Sequence, residues 1–297
     1  MSWRTVVISG QCKLDYKMGY LVVRGEEIRR VFLDEMAILV IENPAVSLTG
    51  CLVEALTEKK IKVIFCDTKR TPTAELVAYN GSHDNSLKIR TQITWNDEIK
   101  SSVWQEIIGE KIRKQSEFLC ELGHIRESDL LKSYIGQIEP LDSTNREGHA
   151  AKVYFNAVFG MDFTRSADVP INAALNYGYS IILSAFNREI VSMGYLTQLG
   201  IFHNNMFNHF NLSCDLMEPF RIIVDRFVFS QMPTAFEKEE KHDIWRILEE
   251  SVLIDNTHQL VSNAIKIYTR SVFEAINDAD PSAIKFFDFN DGIDISI

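Results

Sequence analysis

Apolar and polar positions alternate in short runs over residues 4–66 and then give way to a longer, helical period for the rest of the chain. The runs TVVIS, CKLDY, YLVVRG, EIRRVFL, AILVIEN and IKVIFC have the length and near-twofold alternation of strands, with MG and RGEE as turn signals between the early ones. Between the last two lies SLTGCLVEALTEKK, whose Leu52, Ala55 and Leu56 recur at helical spacing. The pattern predicts a small, mostly antiparallel β-domain with one helix over residues 1–75. DTKRTPTAELVAYNGSHDNS, residues 67–86, is rich in Thr, Ser, Asn, Pro and Gly and reads as the linker. Beyond it, helical segments are predicted over 97–123, 126–137, 144–159, 170–193, 214–230, 237–253 and 258–277, so residues 76–297 are expected to form an all-helical domain. The fold class is then α+β in two domains. Pro140, Pro170, Pro233 and Pro281 fall at breaks between segments, where proline is tolerated. Pro219 falls inside one, and its ring and missing N–H predict a kink or a fresh helix start there. The stretch after Pro281, ending FFDFNDGIDISI, has no clear period and is expected to be irregular.

Composition narrows the class without settling it. With 297 residues, 46% of them hydrophobic, the chain has ample material for a folded core. No run approaches the roughly 18 uninterrupted apolar residues of a membrane span, and the N-terminus lacks a signal-peptide pattern, so a cytoplasmic protein without membrane contact is expected. Five cysteines without a CxxC pair read as reduced thiols rather than a disulfide frame or a zinc site. A net charge of −10 argues against nucleic-acid binding at first sight. The distribution changes that view, because Met232 to Ile297 carry 6 Lys and Arg against 13 Asp and Glu, leaving only −3 on residues 1–231. Lys59, Lys60, Lys62, Lys69, Arg70, Lys111, Arg113, Lys114, Arg146 and Lys152 are candidates for a basic face.

Three stretches hold candidate chemistry. In TNREGHAAKVYF, Glu147 follows Thr144 by three residues, the spacing of a capping box. It also shares a helical face with Ala150, Ala151 and Tyr154, which would let another element approach a buried carboxylate. LGIFHNNMFNHF offers His203 and His209 in a Gly- and Asn-rich turn. DLMEPFR places Asp215 and Glu218 one turn apart after a candidate cap, Ser213, and just before Pro219. Carboxylates there favour a helix N-terminus by about 0.3–1 kcal/mol without any further role. Alternatively, a turn distorted by proline aims both at one point. Three acids and an imidazole suit a hard divalent metal, Mg²⁺ or Mn²⁺, better than zinc. Taken by themselves the residues allow a carboxylate and histidine metal site in a helical domain, and also allow simple helix caps.

The strings REGHAAKVYF, INAALNYGYSIIL, LGIFHNN and NLSCDLMEPFR, in this order and at these separations, resemble the metal-dependent integrases of CRISPR spacer acquisition, the first-numbered CRISPR-associated proteins, in the form found in type II systems. The resemblance covers nearly the whole chain and implies an N-terminal β-domain joined to a helical catalytic domain. It places the family's metal-site glutamate on Glu147, its histidine on His203 and its final acidic ligand on Glu218, with Asp215 at an additional acidic position. One departure stands out: many relatives carry two histidines in the turn, and the first of these positions is Phe202 here. The implied activity joins the 3′-hydroxyl ends of short DNA fragments to the repeat of a CRISPR array by transesterification. The implied partners are double-stranded DNA, a second copy of the chain, a small second acquisition subunit and other type II CRISPR proteins. Two readings compete with this one, a non-catalytic DNA-binding scaffold and a general metal-dependent DNase.

Overall fold

The computed structural model describes residues 4–68, 70, 72–76, 78 and 82–289. The chain divides into two units, Met1–Asn85 with Val191–Gly194, and Ser86–Ile190 with Tyr195–Ile297.

In the first unit every expected strand is present: β1 (Arg4–Ile8), β2 (Lys13–Lys17), β3 (Tyr20–Arg24), β4 (Ile28–Phe32), β5 (Met36–Ile41), then the short β6 (Ser47–Leu48), helix α1 (Gly50–Glu58) and β7 (Lys62–Cys66), followed by β8 (Pro72–Leu76). They form two four-stranded sheets, ordered β4-β3-β2-β6 and β1-β5-β7-β8. The first is antiparallel except where β2 meets β6. The second departs from the mostly antiparallel expectation, because β1, β5 and β7 run parallel and only β8 is antiparallel. The reason is local: α1 is the crossover between β5 and β7, and MAILVI in β5 is buried throughout, as a parallel strand covered on both faces requires. Leu14, Leu21, Leu33, Met36, Leu39, Leu52, Leu56 and Val63 close one core among the sheets and α1. The expected linker is partly strand, since Pro72–Leu76 pairs with β7; its residues 69, 71, 77 and 79–81 lie outside the described residues.

The second unit begins with α2 (Asn85–Ile93), α3 (Asp97–Glu121), α4 (Ile125–Ile135), α5 (Arg146–Phe159) and α6 (Pro170–Ser192). It continues with α7 (Asn211–Leu216), α8 (Arg221–Gln231), α9 (Lys238–Ile244), strands β9 (Ser251–Ile254) and β10 (Thr257–Leu260), α10 (Val261–Asp278) and β11 (Phe287–Phe289). The expected break at Pro219 is present as a 3₁₀ turn, Glu218–Phe220, between α7 and α8. Helix α3 is the axis of the unit; it buries Val103, Trp104, Ile107, Ile108, Ile112, Phe118 and Leu119 and packs on α4, α5, α8 and α10.

This unit is not all helical, which corrects the expectation. Strands β10, β9 and β11 make an antiparallel sheet in that order. The signal was the dipeptide Asp255–Asn256, both at positive φ, a two-residue turn suited to a tight hairpin. Helical periodicity on either side masks it in the sequence. The stretch after Pro281 likewise contains β11, which pairs with β9 across more than thirty residues of chain. No helix among the described residues is long and apolar enough to cross a membrane.

Candidate functional site

Glu147 sits in the first turn of α5, but the capping box expected from Thr144 is not what holds it. Asn145 is the N-cap in a left-handed conformation, and the Asp142 carboxylate accepts the amides of Arg146 and Glu147 at 2.7 and 2.9 Å. An acid upstream thus satisfies the helix start, and the Glu147 side chain is left for other contacts. Ser213 is likewise not a cap: it is buried inside α7, where its hydroxyl donates to Asn187.

Asp215 and Glu218, three residues apart, face two different sets of donors. Asp215, wholly buried, has the turn at 201–203 folded around it. Its Oδ2 accepts the amides of Ile201 and Phe202 at 2.6 and 3.0 Å, and its Oδ1 accepts the His203 amide at 3.0 Å. The His203 Nδ1 donates to the same Oδ1 at 2.5 Å. Because a carboxylate only accepts, the imidazole carries its proton on Nδ1, and Nε2 is the nitrogen available to a ligand or a proton. The bond to Asp215 raises the His203 pKa above its ordinary value, against the opposing effect of burial. Gly200 permits this wrap, since an added Cβ would overlap the His203 carbonyl oxygen and come within 2.7 Å of Asp215 Oδ2. Phe202 stacks on Trp104 with ring centroids 4.4 Å apart and planes 7° from parallel, and Trp104 meets His203 edge-on at 5.8 Å. Phe202 thus covers the buried Trp104 from the solvent side, next to His203.

Glu218 is paired with cations. Arg221 Nε lies 2.9 Å from each of its oxygens, and Lys111 Nζ lies 2.5 Å from Oε2. The same Lys111 Nζ lies 2.5 Å from Oε1 of Glu147. Burial alone would push the Glu218 carboxyl up, but Arg221 and Lys111 outweigh it and hold the pKa at about 2. Burial opposes the charge of Lys111, yet Glu218 and Glu147 keep its pKa above its ordinary value. Behind Arg221, its guanidinium lies over the Tyr179 ring at 4.7 Å, and the Tyr179 hydroxyl donates to the buried Asp225. Burial raises Asp225 to about 6 despite the hydrogen bond from Tyr179.

The fold thus brings Glu147 and Glu218 to one cation and ties His203 to Asp215. Among the described residues no three His, Cys, Asp or Glu side chains stand in metal-holding geometry, and it is the Lys111 ammonium that joins the two glutamates. His149 and His209 are exposed. Sequence reasoning missed the roles of Lys111, Arg221, Tyr179 and Trp104. Two signals existed: Arg221 follows Glu218 at i+3, and Lys111 lies on the face of α3 otherwise marked by Trp104, Ile107 and Ile108.

Several residues of the expected basic face are already engaged. Lys59 pairs with Asp34, Lys62 with Glu75, and Arg113 with Glu110, Glu117 and Asp288, while Lys114 is buried against Glu110 and Phe287. Arg146 lies over the Tyr134 ring, Lys152 is exposed on α5, and Lys69 lies outside the described residues.

Known proteins share both sequence and fold with this chain. The CRISPR-associated endonuclease Cas1 of Neisseria meningitidis serogroup C (strain 8013) is 29% identical over 291 residues, covering 96% of each chain. Among solved structures, a casposase bound to its integration product superposes with a TM-score of 0.75 at 17% identity, over 94% of this chain and 91% of that one. The Cas6-RT-Cas1–Cas2 complex gives a TM-score of 0.73 at 17% identity, over 95% of this chain and 36% of that one. A family model described as CRISPR associated protein Cas1 matches residues 5–258, well over half of the 297, and the chain belongs to that family.

Proposed function

We propose that this protein is a metal-dependent DNA integrase of CRISPR adaptation, joining the 3′-hydroxyl ends of short DNA fragments to the repeat of a CRISPR array. The observation that carries the reading is the convergence of Glu147, from α5, and Glu218, from the turn before α8, on a single cationic group, in a unit that also holds an imidazole whose Nδ1 is bound by Asp215.

The donor set fits a hard divalent ion. Two carboxylates that already share one cation match the hard oxygen ligands of Mg²⁺ or Mn²⁺, and an imidazole is a nitrogen donor that Mn²⁺ accepts. Glu147, Glu218 and His203 through Nε2 would hold the ion. Asp215 is read as the anchor of His203, because both its oxygens already accept protein N–H groups. When bound, the ion supplies charge stabilisation and activation of an attacking hydroxyl.

The chain's own residues supply the rest. Arg221 holds both oxygens of Glu218 and lies over the Tyr179 ring, which Asp225 in turn fixes through the Tyr179 hydroxyl, so the carboxylate keeps one orientation. Asp215 fixes the imidazole tautomer, presenting Nε2 as the ligand or proton acceptor. Preorganised charges of this kind favour a transition state that accumulates negative charge on phosphate oxygens.

The family likeness supports the partners. A second copy of the chain, a small second acquisition subunit, other type II CRISPR proteins and double-stranded DNA are proposed. The Cas1–Cas2 assembly of a solved relative supports the small subunit, and the casposase bound to integration product supports strand joining. The test is joining of a short duplex to a plasmid bearing a repeat, with Mn²⁺ and with EDTA. Joining is expected with Mn²⁺ and lost with EDTA and in Glu218→Ala. Joining by Glu218→Ala would refute the assigned site, and DNA binding indifferent to Mn²⁺ with no product would favour the scaffold reading.

A further inference from the structure

Two of the groups proposed to hold the divalent ion already share a cation belonging to the chain. Lys111 Nζ stands 2.5 Å from an oxygen of Glu147 and 2.5 Å from an oxygen of Glu218. The Lys111 and Glu218 side chains are only 9% and 3% exposed. An ammonium and a divalent ion cannot both stand within bonding distance of the same two oxygens, because little solvent is present to screen their repulsion. Glu218 does not need Lys111 for neutrality, since Arg221 already meets both its oxygens. What Lys111 adds is the bridge to Glu147, and that bridge draws together carboxylates arriving from α5 and from the turn before α8.

We propose that Lys111 is an intramolecular placeholder for the metal: its ammonium holds Glu147 and Glu218 together in the metal-free protein, competes with a divalent ion for them, and leaves their shared point when the ion binds. This inference rests on the metal-site reading above.

The test is Mn²⁺ binding to the full-length protein, measured by calorimetry, for the wild type, Lys111→Met and Lys111→Arg. Methionine keeps most of the stem and removes the charge, so Lys111→Met is expected to bind about tenfold or more tightly than the wild type. Lys111→Arg keeps a competing cation and is expected to stay within about threefold of the wild type. Unchanged or weaker binding by Lys111→Met overturns the proposal. Without metal, Lys111→Met leaves two carboxylates facing each other and is expected to melt below the wild type, a gap that saturating Mn²⁺ closes. A deficit equal with and without Mn²⁺ marks a merely structural lysine and overturns the proposal.

A measurement on the wild type needs no variant. Acetylation of lysines by an N-hydroxysuccinimide ester, read by mass spectrometry, should find Lys111 protected in EDTA and labelled severalfold more with Mn²⁺; equal labelling overturns the proposal. Failure of the metal-site reading looks different: wild type and Glu218→Gln would then bind Mn²⁺ equally weakly, and both inferences fall.

Discussion

Asp215 and His203 are joined twice, through the backbone amide of His203 at 3.0 Å and through its Nδ1 at 2.5 Å, both on Oδ1 of the buried aspartate. The amides of Ile201 and Phe202 complete the enclosure on Oδ2. Asn at position 215 would turn an NH₂ group toward at least one of these donors. Asp215→Asn should cost about 2–4 kcal/mol of stability, the penalty of unsatisfied buried donors. It should also reduce joining about a hundredfold as the imidazole loses its aim. Urea unfolding and a joining assay check both; wild-type values for the two would remove Asp215 from its anchoring role.

Gly200 makes that enclosure possible by lacking a side chain. An added Cβ would overlap the His203 carbonyl oxygen, which is backbone and cannot rotate away. Gly200→Ala should therefore lose about 1–3 kcal/mol and should lower joining. Thermal unfolding of a variant that melts like the wild type would show that the turn has another way to close.

Gly178 on α6 makes a different close approach. A Cβ there would overlap Cγ1 of Val224 on α8 and lie 3.2 Å from Cγ2. Gly178→Ala should destabilise by about 1–3 kcal/mol, and adding Val224→Ala should make room. Denaturation of both single variants and the double variant should show a coupling of about 1 kcal/mol or more in favour of the double. Additive effects would mean the helices shift apart instead.

How much of this was legible depends on the range of the interaction involved. Every expected strand of the first unit formed, since twofold alternation is local, and the break at Pro219 followed from one ring and one missing N–H. Strand direction was harder, although α1 between β5 and β7 already carried the crossover that makes them parallel. The hairpin at Asp255–Asn256 was hidden because a four-residue strand barely interrupts a helical pattern. In the site, Glu147, His203, Asp215 and Glu218 stood in recognisable strings. Their division of labour did not, because it depends on which donors the fold brings: three turn amides to Asp215, and Lys111, 107 positions away in sequence, to Glu218.

Glu250 supplies a pH dependence away from the site. Burial raises its carboxyl from 4.5 to about 7, with only partial opposition from Arg226. The folded protein therefore binds this proton more tightly than the unfolded chain does. The stability it contributes is complete below about pH 4.5 and is lost as pH rises through about 7. Glu250→Gln cannot ionise, so the stability of the wild type relative to this variant should fall across that window. Urea unfolding at several pH values checks it, and a constant difference would contradict the burial account.

Joining through this site is proposed to proceed by attack of a fragment's 3′-hydroxyl on the repeat. The most direct measurement compares two otherwise identical short duplexes, one ending in 3′-hydroxyls and one in 3′-deoxy termini, incubated with a repeat-bearing plasmid, Mn²⁺ and the protein. The account predicts joined product from the hydroxyl duplex alone, and none from either duplex with Glu218→Ala. Plasmid cut equally with both duplexes and no joined strand would contradict it, leaving a DNase in place of an integrase.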